Sequence, residues 1–565
     1  MIGKIKKFFP RINSTKIFLL TFISLGYGLS TIITIYVVST LVSTMSGLHN
    51  SELSLPIIYV TDFFKNNFGL DAKLSHIILG ICSLTLMSLL GFTKIYFISK
   101  TCATARHELS AKVLEKSINI NSVFQDKTHA GTIKSLILDE TMHVVLQLLK
   151  PVIEIMASSV FIFVLLLNLF FYNPKITIFA SIIFGGAYLI NYLLTKSSIK
   201  RHGQLRYSTN KQRFKKVDDA LSLRLLSNVL KTIDIFTDRY SKDSKKMAYH
   251  QYIFEFIAQS PKIIIEAMIF LAVFLMVIIG LNDTSTKTDE ITFAQNIVIF
   301  ALTGLKMLPE FQRIYLNLGL LKYGSSSQEG ILNVLNFKNL PTFEKTFKKI
   351  SDERDLIISF NCDACYKGDE KILKKINLQV YEGDRIGITG KSGSGKTTLL
   401  SALMGIIPIE INGTRGFFKS DVKFGYLPQE SSLFSGTILE NIVMGRKLTD
   451  QKYISVKNTA GSLFPEFSID NIDILLNRVI DDVSTGLSVG QKQRIGLLRA
   501  IYDAPEILIL DEFTSALDKK NEEIIINYVD NSKAYKSLII VGHRSTSTRI
   551  CKNIYSLNDG NLAES

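Results

Sequence analysis

The stretch GKSGSGKTT, from Gly390 to Thr398, constrains this chain more than any other feature. It fits the pattern G-x-x-x-x-G-K-[ST] without a gap, and it lies between a strand-like apolar run, residues 385–389, and a helix-like run that starts at Thr398. Glycines let successive backbone N–H groups point at one anion, and the following helix adds its positive N-terminal end. A strand, a glycine loop and a helix in this order predict a phosphate-binding loop.

The pattern assigns roles within this loop. Lys396 is expected to reach the β- and γ-phosphates of a nucleotide, and Thr397 is expected to hold Mg²⁺. A chance glycine turn is the alternative that the loop by itself leaves open. The residues expected to contact the nucleotide are Gly390, Lys391, Ser392, Gly393, Ser394, Gly395, Lys396, Thr397 and Thr398.

The chain has 565 residues, too many for a single core, so two or more domains are expected. Up to about residue 323 the apolar residues come in long runs, whereas the remainder has the pattern of a soluble α/β domain. We place the boundary near residue 340, with a membrane domain over 1–339 and a nucleotide-binding domain over 340–565. The net charge of +15 would suit nucleic acid, but lysines in the cytoplasmic loops of a membrane protein explain it more simply. No nucleic-acid partner is therefore expected.

Six segments are long and apolar enough to span a bilayer. Basic clusters lie before the first segment, after the second and after the fourth, so the positive-inside rule puts the N-terminus in the cytoplasm. Six crossings return the chain to the cytoplasm before the nucleotide loop. The fold class predicted is therefore an α-helical six-span domain followed by an α/β ATPase domain. The segments cover residues 17–42, 77–98, 152–172, 176–194, 263–281 and 291–307.

The spacing of the segments predicts their continuation. About fifty residues separate the second and third segments, and nearly seventy separate the fourth and fifth; both intervals are mostly helix-compatible. We expect membrane helices that continue into the cytoplasm and turn back near residues 122–127 and 227–232. In the outer loop, apolar residues at helical spacing over 56–70 predict a short interfacial helix, with an ordinary loop helix as the alternative.

A second motif completes the chemistry. ILILDE, from Ile507 to Glu512, is typical of a buried strand that ends in two carboxylates. Asp511 suits a Mg²⁺ ligand, and Glu512 is placed to act as the general base for an attacking water. Such an acidic pair could by itself be a helix N-cap, but LSVGQKQR before it and SALD after it exclude that alternative.

These residues together resemble the ABC ATPase family. The resemblance implies that Tyr366 stacks on the adenine of ATP and that Gln429, in GYLPQ, senses Mg²⁺. It also implies that His543, in GHR, contacts the γ-phosphate. The implied catalytic residues are Glu512, His543 and Gln429, and the implied Mg²⁺ ligands are Thr397, Gln429 and Asp511.

The signature sequence is expected to act across a subunit interface. In the family, the signature meets the γ-phosphate of ATP that another subunit holds, which here implies roles for Ser488, Gly490 and Gln491, with Asp518 in the D-loop. Val489 stands where the family usually has glycine; a valine need not block the Ser488 hydroxyl or the Gly490 amide. Before the signature, two aspartates, residues 481–482, replace the more usual Gly-Glu.

Six spans and one ATPase domain resemble an exporter of the half-transporter type. Such a chain is expected to work as a homodimer, because Glu512 and His543 are both present and no second ATPase copy exists in the chain. A heterodimer with a related half stays open.

Basic residues in or near the spans are the best indication of the cargo, because charge in hydrocarbon is costly and usually faces a cavity. Arg313 lies seven residues after Lys306, so the two share a helix face. Lys262 opens the fifth span. As alternatives, Lys262 pairs with Glu266 one turn along, and Lys306 extends to the inner interface.

The membrane domain also resembles the bacterial flippases for lipid-linked oligosaccharides. The resemblance implies that Lys262, Lys306 and Arg313 line a cavity for a lipid pyrophosphate. It also implies a location in the bacterial cytoplasmic (inner) membrane, with the N-terminus and the ATPase domain in the cytoplasm. The segments that carry it are AQSPKIIIEAMIF at 258–270, LKMLPEFQRI at 305–314, SININSVF at 117–124 and the outer helix at 56–70.

Other functions fit the same motifs. An exporter of peptides, such as a bacteriocin-like product, and an exporter of lipids or several drugs are the main alternatives. A regulator that binds ATP but transports nothing is a third, although the presence of Glu512 and His543 argues against it.

Overall fold

The computed structural model of the chain forms two compact units. Described residues up to Asn336 belong to the first unit, and those from Leu356 belong to the second. The predicted boundary near residue 340, the predicted turn at 122–127 and the outer helix at 56–70 lie outside the described residues. The described residues are 8–10, 14–45, 72–119, 130–283, 287–336, 356–365, 371–404, 406, 417–418, 422–468, 471–480, 486–514, 517–542 and 548–564.

The first unit is helical throughout its described residues. Its elements are α1 (Ser14–Met45), α2 (Ala72–Ile118), α3 (Ala130–Ser135), α4 (Thr141–Val144), α5 (Lys150–Tyr172), α6 (Pro174–Ser222), α7 (Arg224–Val229), α8 (Ile233–Asp283), α9 (Lys287–Tyr323) and α10 (Ser325–Leu335). Two π-helical turns, Leu136–Glu140 and Val145–Leu149, join α3, α4 and α5 into one rod.

Each of the six predicted spans lies inside one long helix: α1, α2, α5, α6, α8 and α9. Among the described residues, three helical stretches are long and apolar enough to cross a membrane: Thr15–Thr40, Leu74–Ile118 and Ile133–Tyr172. The order of six long helices followed by an α/β unit confirms the predicted fold class.

Three of these helices are much longer than a bilayer requires. α2 has 47 residues, α6 has 49 and α8 has 51, whereas a span needs about 20. The predicted continuation of the spans as long helices is confirmed, and so is the turn near residues 227–232. There α6 ends at Ser222, α7 forms a short helix, and Lys231 adopts a left-handed backbone with φ of 53° before α8 begins.

The second unit is built on a six-stranded sheet. The described strands of the whole unit are β1 (Leu356–Cys365), β2 (Lys371–Tyr381), β3 (Arg385–Thr389), β4 (Phe417–Phe418), β5 (Phe424–Leu427), β6 (Gly436–Thr437), β7 (Val479–Ile480), β8 (Ile507–Asp511), β9 (Ser537–Val541), β10 (Asn553–Asn558) and β11 (Asn561–Glu564). The main sheet has the order β11-β10-β3-β9-β8-β5, and only β11 is antiparallel to its neighbour. β2, β1 and β4 form a second, antiparallel sheet, and β6 pairs with β7.

Helices cover both faces of the main sheet. The described helices of the second unit are α11 (Lys396–Leu403), α12 (Ile438–Val443), α13 (Asp450–Leu463), α14 (Ile472–Asn477), α15 (Val489–Ile501) and α16 (Lys519–Asn531). Successive residues of β8 belong to opposite cores: Leu508 and Leu510 pack with Ile525 of α16, whereas Ile507 and Ile509 pack with Leu399 of α11. A parallel strand buried on both faces explains the unbroken aliphatic sequence ILIL.

The strand order also positions the site. β3 and β8 are each hydrogen-bonded to β9, and all three strands run parallel. The carboxyl ends of parallel strands meet at one edge of a sheet, which is where such sheets bind ligands. The loop after β3 and the two acids at the end of β8 are therefore brought to the same edge.

Candidate functional site

The phosphate loop connects β3 to α11, as the sequence predicts. Gly393 and Gly395 adopt left-handed backbones, with φ of 81° and 101°. At Gly390 an added Cβ would lie 2.4 Å from the carbonyl oxygen of Leu557. Glycine is therefore favoured at 393 and 395 by the left-handed backbone, and at 390 by the close approach of the Leu557 carbonyl. Without side chains at these positions, the N–H groups of the loop are not covered.

Ser394 supplies an observation that points to a ligand. Its Oγ atom is buried and has no hydrogen-bond partner among the described residues. A buried hydroxyl without a partner is costly, so such a group suggests a polar ligand atom within reach. The glycine cradle and this hydroxyl both fit a phosphate.

Lys396, the first residue of α11, connects the loop to the end of β8. Its Nζ atom donates to the carbonyl oxygens of Gly390, at 3.0 Å, and Lys391, at 3.1 Å. The same atom lies 3.4 Å from Oε1 of Glu512. The lysine is buried, so its charge is held at the loop rather than exposed to water.

Asp511 ends β8 as a buried carboxylate. The hydroxyl of Tyr426 donates to its Oδ2 at 3.2 Å. Burial raises the pKa of Asp511, as does the negative charge of Glu512, while the Tyr426 hydroxyl and the Lys396 charge oppose the rise. Burial and the charge of Asp511 in turn raise the pKa of Tyr426, so its hydroxyl remains a donor.

Glu512 has an unusual backbone. Its φ is 43°, in the left-handed region, and its N–H donates to the carbonyl oxygen of Val541 in β9 at 2.8 Å. A non-glycine residue in such a conformation costs about 1–3 kcal/mol and is concentrated at functional sites. The left-handed conformation turns the chain directly after β8, and the carboxylate of Glu512 lies beside Lys396.

The expected Mg²⁺ ligands are oxygen donors, which are the ligands that Mg²⁺ prefers. Thr397 is exposed in the first turn of α11, and Asp511 is buried at the end of β8. The side chain of Gln429 is exposed, while its backbone oxygen accepts from Nε2 of Gln493 at 2.5 Å. Within the described residues, no group of three or more His, Cys, Asp or Glu side chains forms a metal cluster. The hydroxyl, amide and carboxylate oxygens of Thr397, Gln429 and Asp511 are donors that suit a hard ion such as Mg²⁺.

The signature begins α15. Ser488 caps this helix: its Oγ accepts from the N–H of Gln491 at 3.2 Å, and Oε1 of Gln491 accepts from the N–H of Ser488 at 3.0 Å. Val489 is the first helical residue, and its side chain is 51% exposed. At Gly490, by contrast, an added Cβ would lie 2.7 Å from Cγ of Asn521. The structure thus accommodates valine at 489 and favours glycine at 490, where a Cβ would displace the Asn521 side chain.

Other predicted site residues divide into two groups. Asp518 lies at the N-cap position of α16, and its side chain accepts a hydrogen bond from the side chain of Asn521 rather than from the helix backbone. Lys391, Ser392 and Thr398 lie in the loop and the first turn of α11. Tyr366, His543 and the two aspartates at 481–482 lie outside the described residues.

The three proposed cavity residues lie in different settings. Arg313 lines a pocket of about 200 Å³ in the first unit. Lys262 and Lys306 are exposed, and neither lies among the residues that line this pocket. The lining residues are Tyr27, Gly91, Lys94, Ile95, Ile98, Ser99, Lys150, Glu154, Glu310 and Arg313.

Sequence reasoning missed Glu310, the most connected group in this pocket. Its Oε1 lies 2.5 Å from Nη1 of Arg313 and 3.8 Å from Nζ of Lys94, and its Oε2 accepts from Ser158. The available signal was an acidic residue directly after Pro309 and between the two basic residues Lys306 and Arg313. Tyr426 and Gln493 were also missed, because nothing in their spacing links them to Asp511 or Gln429.

Comparison with known proteins identifies the family. Residues 17–305 match the family model described as the ABC transporter transmembrane region, and residues 373–515 match the one described as ABC transporter. The chain belongs to the ABC transporter family. A solved structure of a bacterial Atm1-family ABC exporter with ATP bound has the same fold, with a TM-score of 0.77 at 17% identity, over 97% of this chain and 93% of that one. The predicted exporter architecture is thereby confirmed.

Curated relatives of this ABC transporter are similar over part of their length. A probable multidrug resistance ABC transporter ATP-binding/permease protein, YheI of Bacillus subtilis, is 28% identical over 291 residues, which are 49% of this chain and 48% of that protein. Multidrug resistance protein pgp-1 of Caenorhabditis elegans is 32% identical over 262 residues, 44% of this chain and 20% of that protein. The chain thus spans about half the length, or less, of the curated relatives that it matches.

Proposed function

We propose that this chain is one half of an ATP-driven exporter, in which hydrolysis of ATP with Mg²⁺ drives cargo across the membrane. The observation that carries the proposal is the convergence of Lys396, Asp511 and Glu512 at one sheet edge beside a glycine cradle. The positive loop suits the phosphates, and the two acids suit a metal ion and a proton acceptor.

Each residue has a task in this proposal. The loop N–H groups, Ser394 and Lys396 bind the phosphates, while Thr397, Asp511 and Gln429 supply oxygen ligands for Mg²⁺. The ion, when bound, would neutralise charge that develops on the phosphates. Glu512 accepts a proton from the attacking water. His543 at the γ-phosphate and Tyr366 on the adenine are proposed from the family resemblance.

The site needs a second copy of the chain. Ser488, Gly490, Gln491 and Asp518 of one copy are proposed to complete the site that the other copy's phosphate loop forms. A homodimer follows from the two-fold symmetry that is common in such assemblies. A heterodimer is the alternative outcome, and measuring the mass of the purified assembly distinguishes the two.

We assign the cargo as an anionic amphiphile, most simply a lipid-linked oligosaccharide moved to the outer leaflet of the bacterial cytoplasmic membrane. Arg313 and Lys94 in a pocket between apolar helices support an anionic head group with an apolar tail. Export of several drugs is the second candidate, because two relatives are named as multidrug resistance proteins. Peptide export remains the third.

The first experiment tests the ATPase. The full chain in nanodiscs should release phosphate from ATP only with Mg²⁺, and Lys396→Ala should weaken nucleotide binding because a buried positive charge at the phosphates is lost. Lys533→Ala, at an exposed lysine in the same unit, is the matched control. Unchanged nucleotide affinity in Lys396→Ala would remove the phosphate-loop assignment.

The second experiment tests the cargo. Proteoliposomes should move a fluorescent lipid-linked oligosaccharide between leaflets in the presence of ATP. Absence of movement, together with ATPase stimulation by a drug or a peptide, would transfer the assignment to the corresponding alternative.

A further inference from the structure

A cluster of charges lies at the pocket in the first unit, in which Lys94 and Glu310 are buried and the side chain of Arg313 is 40% exposed. Glu310 of α9 contacts Arg313 on the same helix and Lys94 on α2, with the distances of 2.5 Å and 3.8 Å given above. The side chains of Lys94 and Glu310 are each only 8% exposed. Ser158 of α5 is fully buried and donates the remaining hydrogen bond to the carboxylate. Three helices thus converge on one acid.

The charges in this cluster do not cancel. Two cations, Lys94 and Arg313, face one anion, Glu310, which leaves one positive charge uncompensated. The other charges in the lining, Lys150 and Glu154, form their own pair at 3.8 Å, and Asn317 donates to Glu154 at 2.9 Å. Arg313 has the shorter contact with Glu310, so the buried Lys94 is the cation with the weaker partner. A buried charge is costly unless a partner of opposite sign is present. The pocket therefore favours a ligand with one negative charge.

Glu310 is also placed so that its position can change. It follows Pro309, which interrupts the hydrogen-bond ladder inside α9, and prolines of this kind are common sites of helix bending. Bending there would preserve the contact with Arg313, three residues along the same helix, and alter the one with Lys94 on α2. Lys94 already has a second favourable neighbour, because its Nζ lies 5.5 Å from the ring centre of Tyr27.

From these observations we infer that Glu310 sets the charge selectivity of the pocket: it neutralises one of the two cations, so that the pocket accepts one further negative charge. The ligand class is an acidic group with a single charge, such as a phosphodiester; each phosphate of a pyrophosphate diester also carries one. This inference rests on the proposed anionic cargo and adds to it the number of charges that each pocket accepts.

The test compares lipid probes that share their acyl chains and differ in charge. The full-length protein is placed in nanodiscs of phosphatidylcholine, and its affinity is measured for fluorescent phosphatidylglycerol, which has one negative charge, and for fluorescent phosphatidic acid. Mildly alkaline buffer gives the phosphate monoester two charges. Fluorescent phosphatidylcholine, with no net charge, is the reference.

The variants change the charge count in known steps. Glu310→Gln should shift the affinity ratio by about tenfold toward phosphatidic acid, because the pocket then has two uncompensated positive charges. Adding Lys94→Gln removes one of these two charges and returns the pocket to one uncompensated positive charge. The double variant should therefore have the wild-type ratio, which would not be expected if Glu310 and Lys94 formed a purely structural ion pair. Glu115→Gln, at an exposed acid on α2, should leave the ratio unchanged.

The outcomes separate this inference from the proposed function. An unchanged ratio in Glu310→Gln, or a ratio that the double variant fails to restore, overturns the selectivity role while the anionic cargo stands. If wild-type protein binds neither anionic probe better than the phosphatidylcholine probe, the anionic cargo is overturned and the selectivity role with it. Should Glu310→Gln not fold, Lys94→Gln tests the same count with the opposite sign: it should abolish the preference for phosphatidylglycerol, and a retained preference overturns the role.

Discussion

Nζ of Lys396 and Oε1 of Glu512 lie 3.4 Å apart, joining the residue that begins α11 to the residue that follows β8. The lysine also donates to two carbonyl oxygens of its own loop. A nucleotide phosphate would offer this lysine a stronger acceptor than a backbone carbonyl. Binding of ATP is therefore expected to loosen the contact with Glu512 and release the carboxylate to face water.

The first prediction concerns Glu512→Gln. The amide cannot accept a proton from water, so phosphate release should fall by about 10²-fold or more while ATP stays bound. Lys396 keeps its contacts with the loop, so nucleotide affinity should not fall. Retained radiolabelled nucleotide and phosphate release measure the two effects, with Glu523→Gln at an exposed acid as the control. Hydrolysis by Glu512→Gln close to the wild-type rate would contradict the role of general base.

The second prediction uses the raised pKa of Asp511. Because the folded state holds this proton more tightly than the unfolded state, Asp511 lowers stability as pH rises through the interval between its ordinary value of 3.8 and its raised value. At neutral pH the penalty is fully present. Asp511→Asn should therefore raise the Tm of the unit in chelator at neutral pH. Mg²⁺-dependent hydrolysis should be lost in the same protein.

The pH dependence supplies the control for this prediction. The gain in Tm from Asp511→Asn should shrink as the buffer is acidified. At Asp503, hydrogen bonding from Lys452 and the charge of Arg446 outweigh burial and hold the pKa below its ordinary value, so Asp503→Asn should lower the Tm at neutral pH. A gain at Asp511 that widens on acidification would show that its pKa is not raised.

The third prediction concerns the unusual signature. Val489→Gly should leave hydrolysis unchanged within about twofold, since the Ser488–Gln491 cap does not involve the side chain at 489. Stability should fall by at most about 1 kcal/mol, the difference that glycine makes in a helix. Gly490→Ala is the contrasting variant, because its Cβ would meet Asn521, and it should reduce hydrolysis. A large gain of activity in Val489→Gly would mean that valine impairs the site.

The fourth prediction concerns the cavity. Neutralising Lys306 and Arg313 together, as Lys306→Gln and Arg313→Gln, should abolish transport of a fluorescent lipid-linked oligosaccharide while basal ATPase activity survives. Because Arg313 lines the pocket and Lys306 does not, Arg313→Gln alone should account for most of the loss. Lys262→Gln tests the third proposed residue in the same assay.

The control for the cavity prediction is Lys322→Gln, at an exposed lysine on the same helix. Phosphate release is measured in parallel on the same proteoliposomes. Transport that persists in the double variant refutes the cavity role of these residues.

Local patterns predicted the parts of the structure that depend on neighbouring residues. The phosphate loop and the buried strand before Asp511 both follow from spacing and residue type over a few positions. The long helices also follow, because apolar length and helix-compatible linkers are properties of continuous segments. These are the features in which sequence and structure agree most closely.

Contacts between distant segments could not be predicted in the same way. Lys94 and Glu310 meet because α2 and α9 pack together, and no pattern near either residue records that. The hydrogen bond from Tyr426 to Asp511 likewise depends on β5 lying beside β8. Val489 departs from the family pattern, and the sequence does not say whether its side chain obstructs the site. That depends on how far the side chain is exposed, which only the structure provides.

The length of α6 has a mechanical consequence. Its 49 residues make a rod about 75 Å long, of which a bilayer occupies less than half. For a rigid rod of that length, a tilt of about 5° at one end displaces the other end by about 6 Å. The helix is thus a lever arm, and a small tilt at one end is amplified into a displacement the size of a side chain at the far tip.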